Sequence, residues 1–156
     1  MSRIQVLLDE YASSHQNKIN KLIHWICVPA IFWTVVAFLW AIPFPGTLHI
    51  GSIPLNWAVV TLAVVMVYYL WMSVPLAIGM LLYSILNLFL TAYIEQLSSY
   101  PLWQVALTVF VLAWIGQFIG HAVEGKKPSF FKDLQFLLIG PAWVMSFVYK
   151  LLGIKY

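Results

Sequence analysis

Forty consecutive residues, Leu55 to Ile94, contain no Asp, Glu, Lys or Arg. As one straight helix the run would be about 60 Å long, twice the ~30 Å thickness of a bilayer's hydrocarbon core. It must therefore fold back on itself. Ser73-Val74-Pro75 is the expected reversal, because proline disrupts a helix and disfavours helical geometry at the residue before it. Three further apolar stretches flank this run: Leu22–Ile42, Leu102 to about Ala122, and a shorter one from Phe136 to Gly153 that Gly140-Pro141 interrupts. The expectation is an all-α integral membrane protein, a single membrane domain over 1–156. Four transmembrane helices fall near 22–42, 55–73, 75–94 and 102–122. A fifth, short helix in 136–153 is re-entrant, interfacial or tilted. Composition agrees, with 63% hydrophobic and 8% charged residues where a soluble domain carries roughly a quarter charged.

Orientation follows from Lys and Arg, which concentrate on the cytoplasmic side. Arg3, Lys18 and Lys21 precede the first span, the Pro43–Pro54 loop has neither residue type, and Lys126, Lys127 and Lys132 follow the fourth span. An N-terminus in the cytoplasm puts all six inside. Lys150 and Lys155 would be exported if the fifth segment crossed fully, which favours its lying at the interface. The first residues do not read as a signal peptide, since Asp9 and Glu10 interrupt a short apolar run. Eight basic residues spread along the chain leave no nucleic-acid footprint. The single Cys27 excludes an internal disulfide, and four histidines are too few for an eight-histidine di-iron site.

Polar residues at a membrane edge are costly, and here they form two clusters. The first, Tyr11 to His24, leads into the first span. In a helix starting near Ser14, residues Asn17, Asn20 and His24 share a face at i, i+3 and i+7. His15 joins that face only if the chain turns near Ser13-Ser14, where a serine would cap the helix. The second cluster is a stripe of Trp114, Gln117, His121 and Glu124 at the end of the fourth span, with Gly120 beside it permitting close helix approach. Topology puts the start of span one and the end of span four on the same face. His15, His24 and His121 then lie at one depth, whereas His49, in the opposite loop, reads as a solvated residue. Three imidazoles and a carboxylate suit iron, zinc or copper, and open positions suit O2 activation on Fe(II). Asn17, Asn20 and Gln117 are candidate partners that fix the ring tautomers. Taken alone, His15 fits open cytoplasm as well as a metal, and Glu124 fits pairing with Lys126 or Lys127 as well as ligation. Asn87 reads as an interhelical hydrogen bond.

Tyr11…His15…Asn20…His24…Pro29, followed by Gln117-Phe-Ile-Gly120-His121-Ala-Val-Glu124-Gly-Lys-Lys-Pro128, resembles the membrane-bound 2-hydroxy fatty acid dioxygenase family, which includes a fungal enzyme of phytosphingosine breakdown and bacterial relatives. The resemblance runs from Tyr11 through Gly140-Pro141. It implies an Fe(II)-dependent α-oxidation in which a 2-hydroxy fatty acid and O2 yield an acid one carbon shorter. It matches the essential histidines to His15, His24 and His121 and leaves open whether Glu124 ligates as well. Chelation by the substrate's carboxylate and hydroxyl, with Lys126 or Lys127 drawing in the anionic headgroup, would complete the site. For so short a chain the resemblance implies a bacterial inner membrane. The residues alone also admit a small transporter or lipid-binding protein using the same His/Asn/Glu set, and a bis-histidine haem carrier on His24 and His121. Chain-length preference and oligomeric state are not legible.

Overall fold

The computed structural model describes residues 3–46, 48–51, 53–125 and 136–156. Six α-helices account for 78% of them: α1 (Arg3–Ser13), α2 (Lys18–Ala41), α3 (Trp57–Met72), α4 (Val74–Leu97), α5 (Leu102–Glu124) and α6 (Ile139–Leu151). A minimal ribbon of β1 (His49–Ile50) and β2 (Ile53–Pro54) lies between α2 and α3, pairing antiparallel with Ile50 opposite Ile53. The expected all-helical class holds. Among the described residues three helices, α2, α4 and α5, are long and apolar enough to cross a membrane. α3 is apolar but has 16 residues, about 24 Å of helix, so the structure supports three crossings where the sequence suggests four.

Capping explains the short third helix. Asn56 is extended and its side chain accepts the Val59 N–H, which starts α3 one residue later. Ser73, with φ −166° and ψ 118°, is the C-cap of α3 and also the N-cap of α4. Its hydroxyl accepts the Leu76 N–H, and Pro75 occupies the first turn, where its missing donor costs nothing. One residue reverses the chain, at the position the proline indicates.

The described residues group into two compact units, Met1–Phe32 with Phe110–Tyr156, and Trp33–Val109. In the second unit α3 packs along α4, and Trp40 Nε1–H donates to Glu95 at 2.9 Å. Asn87 is buried as expected for a polar residue in a helical core, but its amide donates to the Tyr83 carbonyl one turn back rather than to a neighbouring helix. In the first unit α1 packs against α6. α1 buries Ile4, Leu8 and Tyr11, spaced four and three residues apart so that they share one face. Both units turn aliphatic side chains outward and polar ones inward: Leu22, Ile26, Val67 and Leu82 are more than half exposed, while Asn20, His24, Thr34 and Thr91 are fully buried. That inversion suits a lipid surround, not water.

Candidate metal centre

The first unit carries the two polar clusters, and the chain's local geometry explains how they meet. α1 ends at Ser13, and a tight turn with Ser14 N–H and His15 N–H donating to Tyr11 and Ala12 carbonyls closes it. Asn17, not Ser13 or Ser14, caps α2: its Oδ1 accepts from Ile19 N–H at 2.8 Å and Asn20 N–H at 3.4 Å. The expected turn is present, and the cap lies three to four residues beyond the expected one. His15 therefore sits in the connection between two helices, His24 in the second turn of α2, and His121 in the last turn of α5.

The three rings converge. His15 and His24 have centroids 4.2 Å apart, His24 and His121 4.9 Å, and His15 and His121 5.5 Å. Each offers a ring nitrogen such that all three lie within 4.8 Å of one another, and the rings are 2, 0 and 4% exposed. His49 is outside the group, on the surface ribbon.

Hydrogen bonds set which nitrogen faces the centre. His15 Nδ1 lies 2.7 Å from the Tyr11 carbonyl and His24 Nδ1 2.9 Å from the Asn20 carbonyl. A carbonyl can only accept, so each Nδ1 carries the proton and each neutral ring keeps its lone pair on Nε2. Carbonyl-anchored imidazoles of this kind are the usual arrangement around a bound metal. His24 Nε2 is buried without a hydrogen-bond partner, a costly state that a cation would relieve. Three convergent ring nitrogens, one of them a buried Nε2 without a hydrogen-bond partner, fit a divalent transition metal.

Glu124 lies outside the histidine group. Its carboxylate accepts from Gln16 N–H and Asn17 N–H, each at 2.9 Å, and from Asn20 Nδ2 at 2.9 Å. It thus places negative charge at the N-terminus of α2, where the helix dipole favours it, and ties the end of α5 to the start of α2. Asn20 serves twice, its amide on Glu124 and its carbonyl on His24. Asn17 is committed to the cap. Gln117 is buried one turn before His121. Gly120 permits the crossing: a Cβ there would meet Asn20 Oδ1 and come within 3.2 and 3.3 Å of His24 Cε1 and Nδ1. Lys126 and Lys127 lie outside the described residues.

The whole chain can be compared with known proteins at this point. Residues 1–152 match the family described as 2-hydroxy-palmitic acid dioxygenase Mpo1-like. The chain belongs to the Mpo1-like family. It is also 31% identical, over 144 residues, to a Saccharomyces cerevisiae protein named 2-hydroxy-palmitic acid dioxygenase MPO1, covering 90% of this chain and 77% of that one. No solved structure matches it. The family agrees with the resemblance carried by the paired histidine motifs.

Two residues of this Mpo1-like centre carry no role in the sequence reading, although Tyr11 opens its first motif; Trp143 is missing from it altogether. The Tyr11 ring stacks on His15 at 4.3 Å with 12° between planes, and Trp143 of α6 lies 5.3 Å from His15 and 5.2 Å from Tyr11. Tyr11 precedes His15 by four residues, a spacing that brings side chains together wherever helical geometry continues. Trp143 lies in the short fifth segment, and a helix too short to cross must pack on something. The Glu124 clamp makes a definite expectation. Glu124→Ala should destabilise the protein by about 1–2 kcal/mol, the scale of a lost helix cap, and weaken metal retention roughly tenfold. Glu124→Gln, whose carbonyl still accepts, should recover part of both. Thermal unfolding in detergent and metal content after dialysis measure the two effects.

Proposed function

We propose that this chain is an Fe(II)-dependent dioxygenase that shortens 2-hydroxy fatty acids by one carbon using O2. The observation that carries the reading is the buried three-histidine centre, built from the two motifs of an Mpo1-like chain, in which His15 and His24 each hold Nδ1 on a backbone carbonyl. The name of the yeast relative, a 2-hydroxy-palmitic acid dioxygenase, supports the substrate class. His15, His24 and His121 would hold the metal, and Glu124 would be a positioning residue acting through Asn20. Bound there, iron would supply the redox chemistry with O2 that no side chain provides.

The protein's own part is placement and exclusion. Burial of all three rings keeps bulk water from the reacting atoms. Anchoring His15 and His24 through backbone carbonyls fixes their directions before substrate arrives, so little reorganisation remains on binding. Tyr11 and Trp143 wall the His15 side. In this reading residues 1–156 form one membrane domain with four crossings, Trp57–Met72 being accommodated by local thinning of the bilayer. α6 lies at the interface, the N-terminus is cytoplasmic, and the membrane is a bacterial inner membrane. A substrate dissolved in lipid would then meet the centre from the bilayer.

Protein purified without oxygen is expected to hold close to one iron per chain and, given O2, to convert 2-hydroxyhexadecanoate into pentadecanoate. A chelator should abolish conversion and added Fe(II) should restore it. Iron-loaded protein that leaves every 2-hydroxy acid intact would overturn the reaction while sparing the metal site. Protein that retains no metal, with its histidines intact, would overturn both.

A further inference from the structure

A second space in the first unit lies apart from the histidines. α1, the start of α2, α6 and the end of the chain enclose a pocket of about 180 Å³. Its walls include Gln5 and Asp9 of α1, Lys21 of α2, Trp143 and Lys150 of α6, and Tyr156. One water needs only ~10–15 Å³, so the space takes a group of many atoms. Two cations and one anion line it. Asp9 accepts from the Gln5 amide at 2.8 Å. Among the described residues neither Lys21 nor Lys150 pairs with a carboxylate, and Lys150 Nζ stands 5.5 Å over the Phe147 ring.

Phe147 and Lys150 also line a second, apolar space, an open groove of about 550 Å³ between α2 and α6. Its other walls are Trp25, Val144, Val148 and Leu151. The Trp25 and Phe147 rings lie 5.0 Å apart, and Phe147 meets Trp143 edge-on at 4.8 Å. An aromatic row thus runs from the groove to the polar pocket. The groove's volume falls in the ~300–1,000 Å³ range of sites that enclose a ligand of some size. Lys150 stands at the boundary, where a lysine can rest its methylenes on apolar surface and keep its ammonium in polar surroundings. A cationic pocket that opens past a shared lysine onto an apolar groove matches an amphiphile with an anionic head.

We propose that pocket and groove together hold one anionic glycerophospholipid whose headgroup carries free hydroxyls, of the phosphatidylglycerol type. The phosphodiester shares its charge over two free oxygens, one for each lysine, in charge-assisted hydrogen bonds. The hydroxyls donate to Asp9, which accounts for the single acidic wall. An acyl chain lies along Trp25, Val148 and Leu151. A bare carboxylate would leave most of the pocket unfilled. Basic pockets between helices at a membrane surface are known seats for such headgroups. The inference does not depend on the functional reading above. By joining α1 to α2 and α6, the lipid steadies the segments around His15, on whose ring Trp143 packs at 5.3 Å.

Equilibrium binding to the full chain in neutral detergent tests the site. Four probes suffice: phosphatidylglycerol, phosphatidylcholine with the same chains, glycerophosphoglycerol without chains, and oleate. The parent should bind phosphatidylglycerol at least about tenfold more tightly than each of the other three, the scale of one charge-assisted contact. The same lipid should raise the melting temperature, because it binds only the folded chain. Lys21→Gln and Lys150→Gln should each weaken phosphatidylglycerol about tenfold and leave phosphatidylcholine within about twofold. Lys155→Gln, outside the pocket, should leave both lipids within about twofold. Matching melting temperatures without lipid verify the folds, and Lys21→Arg, which keeps the charge, should retain most of the affinity. Equal binding of the two phospholipids by the parent would overturn the proposal, as would a Lys155→Gln loss equal to that of Lys150→Gln. Glycerophosphoglycerol bound as tightly as the lipid would make the ligand a soluble phosphodiester and remove the groove from the site. Oleate bound as tightly would replace the phosphodiester with a carboxylate and overturn the headgroup assignment.

Discussion

Alanine at position 15, 24 or 121, introduced singly, should strip the protein of metal and turnover, while alanine at position 49 should leave both within about twofold of the parent. Each of the first three removes one nitrogen from a set whose members lie within 4.8 Å of one another. Loss of even an outer partner costs a metal site about 10–100-fold in affinity, so loss of a ligand should cost at least roughly a hundredfold. His49 is exposed on the β1–β2 ribbon, so its replacement touches no buried group. Metal content by elemental analysis and product formation by mass spectrometry separate the cases. Turnover surviving in His15→Ala would remove that residue from the ligand set, and equal loss in His49→Ala would point to a defect of expression or folding common to histidine substitutions.

Gly120→Ala is the second large effect, and it acts without touching a ligand atom. The added methyl meets the side-chain oxygen of Asn20, whose amide nitrogen is held by Glu124 at 2.9 Å and by the Ser14 carbonyl at 3.4 Å. Asn20 cannot swing aside without releasing the clamp, so α2 and α5 must separate instead. Overpacking of this kind costs about 1–3 kcal/mol. Because the same methyl presses on the His24 ring, metal affinity should fall with stability. Gly125→Ala, at a position with φ +72° but nothing within 4 Å of its Cβ, is the informative contrast: it carries backbone strain without the helix–helix clash. A Gly120→Ala protein that melts with the parent and keeps its metal would mean that the two helices have slack where the structure shows none.

Much of the architecture was legible because the bilayer restricts the options so severely. The charge-free run from Leu55 to Ile94 had to bend, and it bends at Ser73, beside the one proline near its centre. The expected meeting of His15 and His24 with His121 rested on four crossings, which would return the chain to the same face; the rings do converge, although among the described residues three helices are long and apolar enough to cross. The ends of the elements were harder. α3 stops at sixteen residues because Asn56 caps its first N–H groups and Ser73 turns extended to cap α4 through the Leu76 N–H, local chemistry that hydropathy does not register. α1 escaped because its apolar residues are few and its stability comes from docking on α6. The site's outer ring was hidden for a related reason. Glu124 could be a ligand, a surface ion-pair partner or a clamp on α2 by sequence alone; only the position of the Gln16 and Asn17 N–H groups favours the last. Trp143 belongs to a helix whose place could not be read from its length.

One ring nitrogen in the donor set depends on the first helix in a way the other two do not. His24 and His121 are carried by long helices, but His15 is oriented by a carbonyl at the frayable end of an eleven-residue helix that rests on another short one. Lifting that N-terminal segment would pull one imidazole away and open the centre from the side, leaving two donors behind. A cation held by the three rings would then be loaded and lost according to how firmly Arg3–Ser13 stays seated.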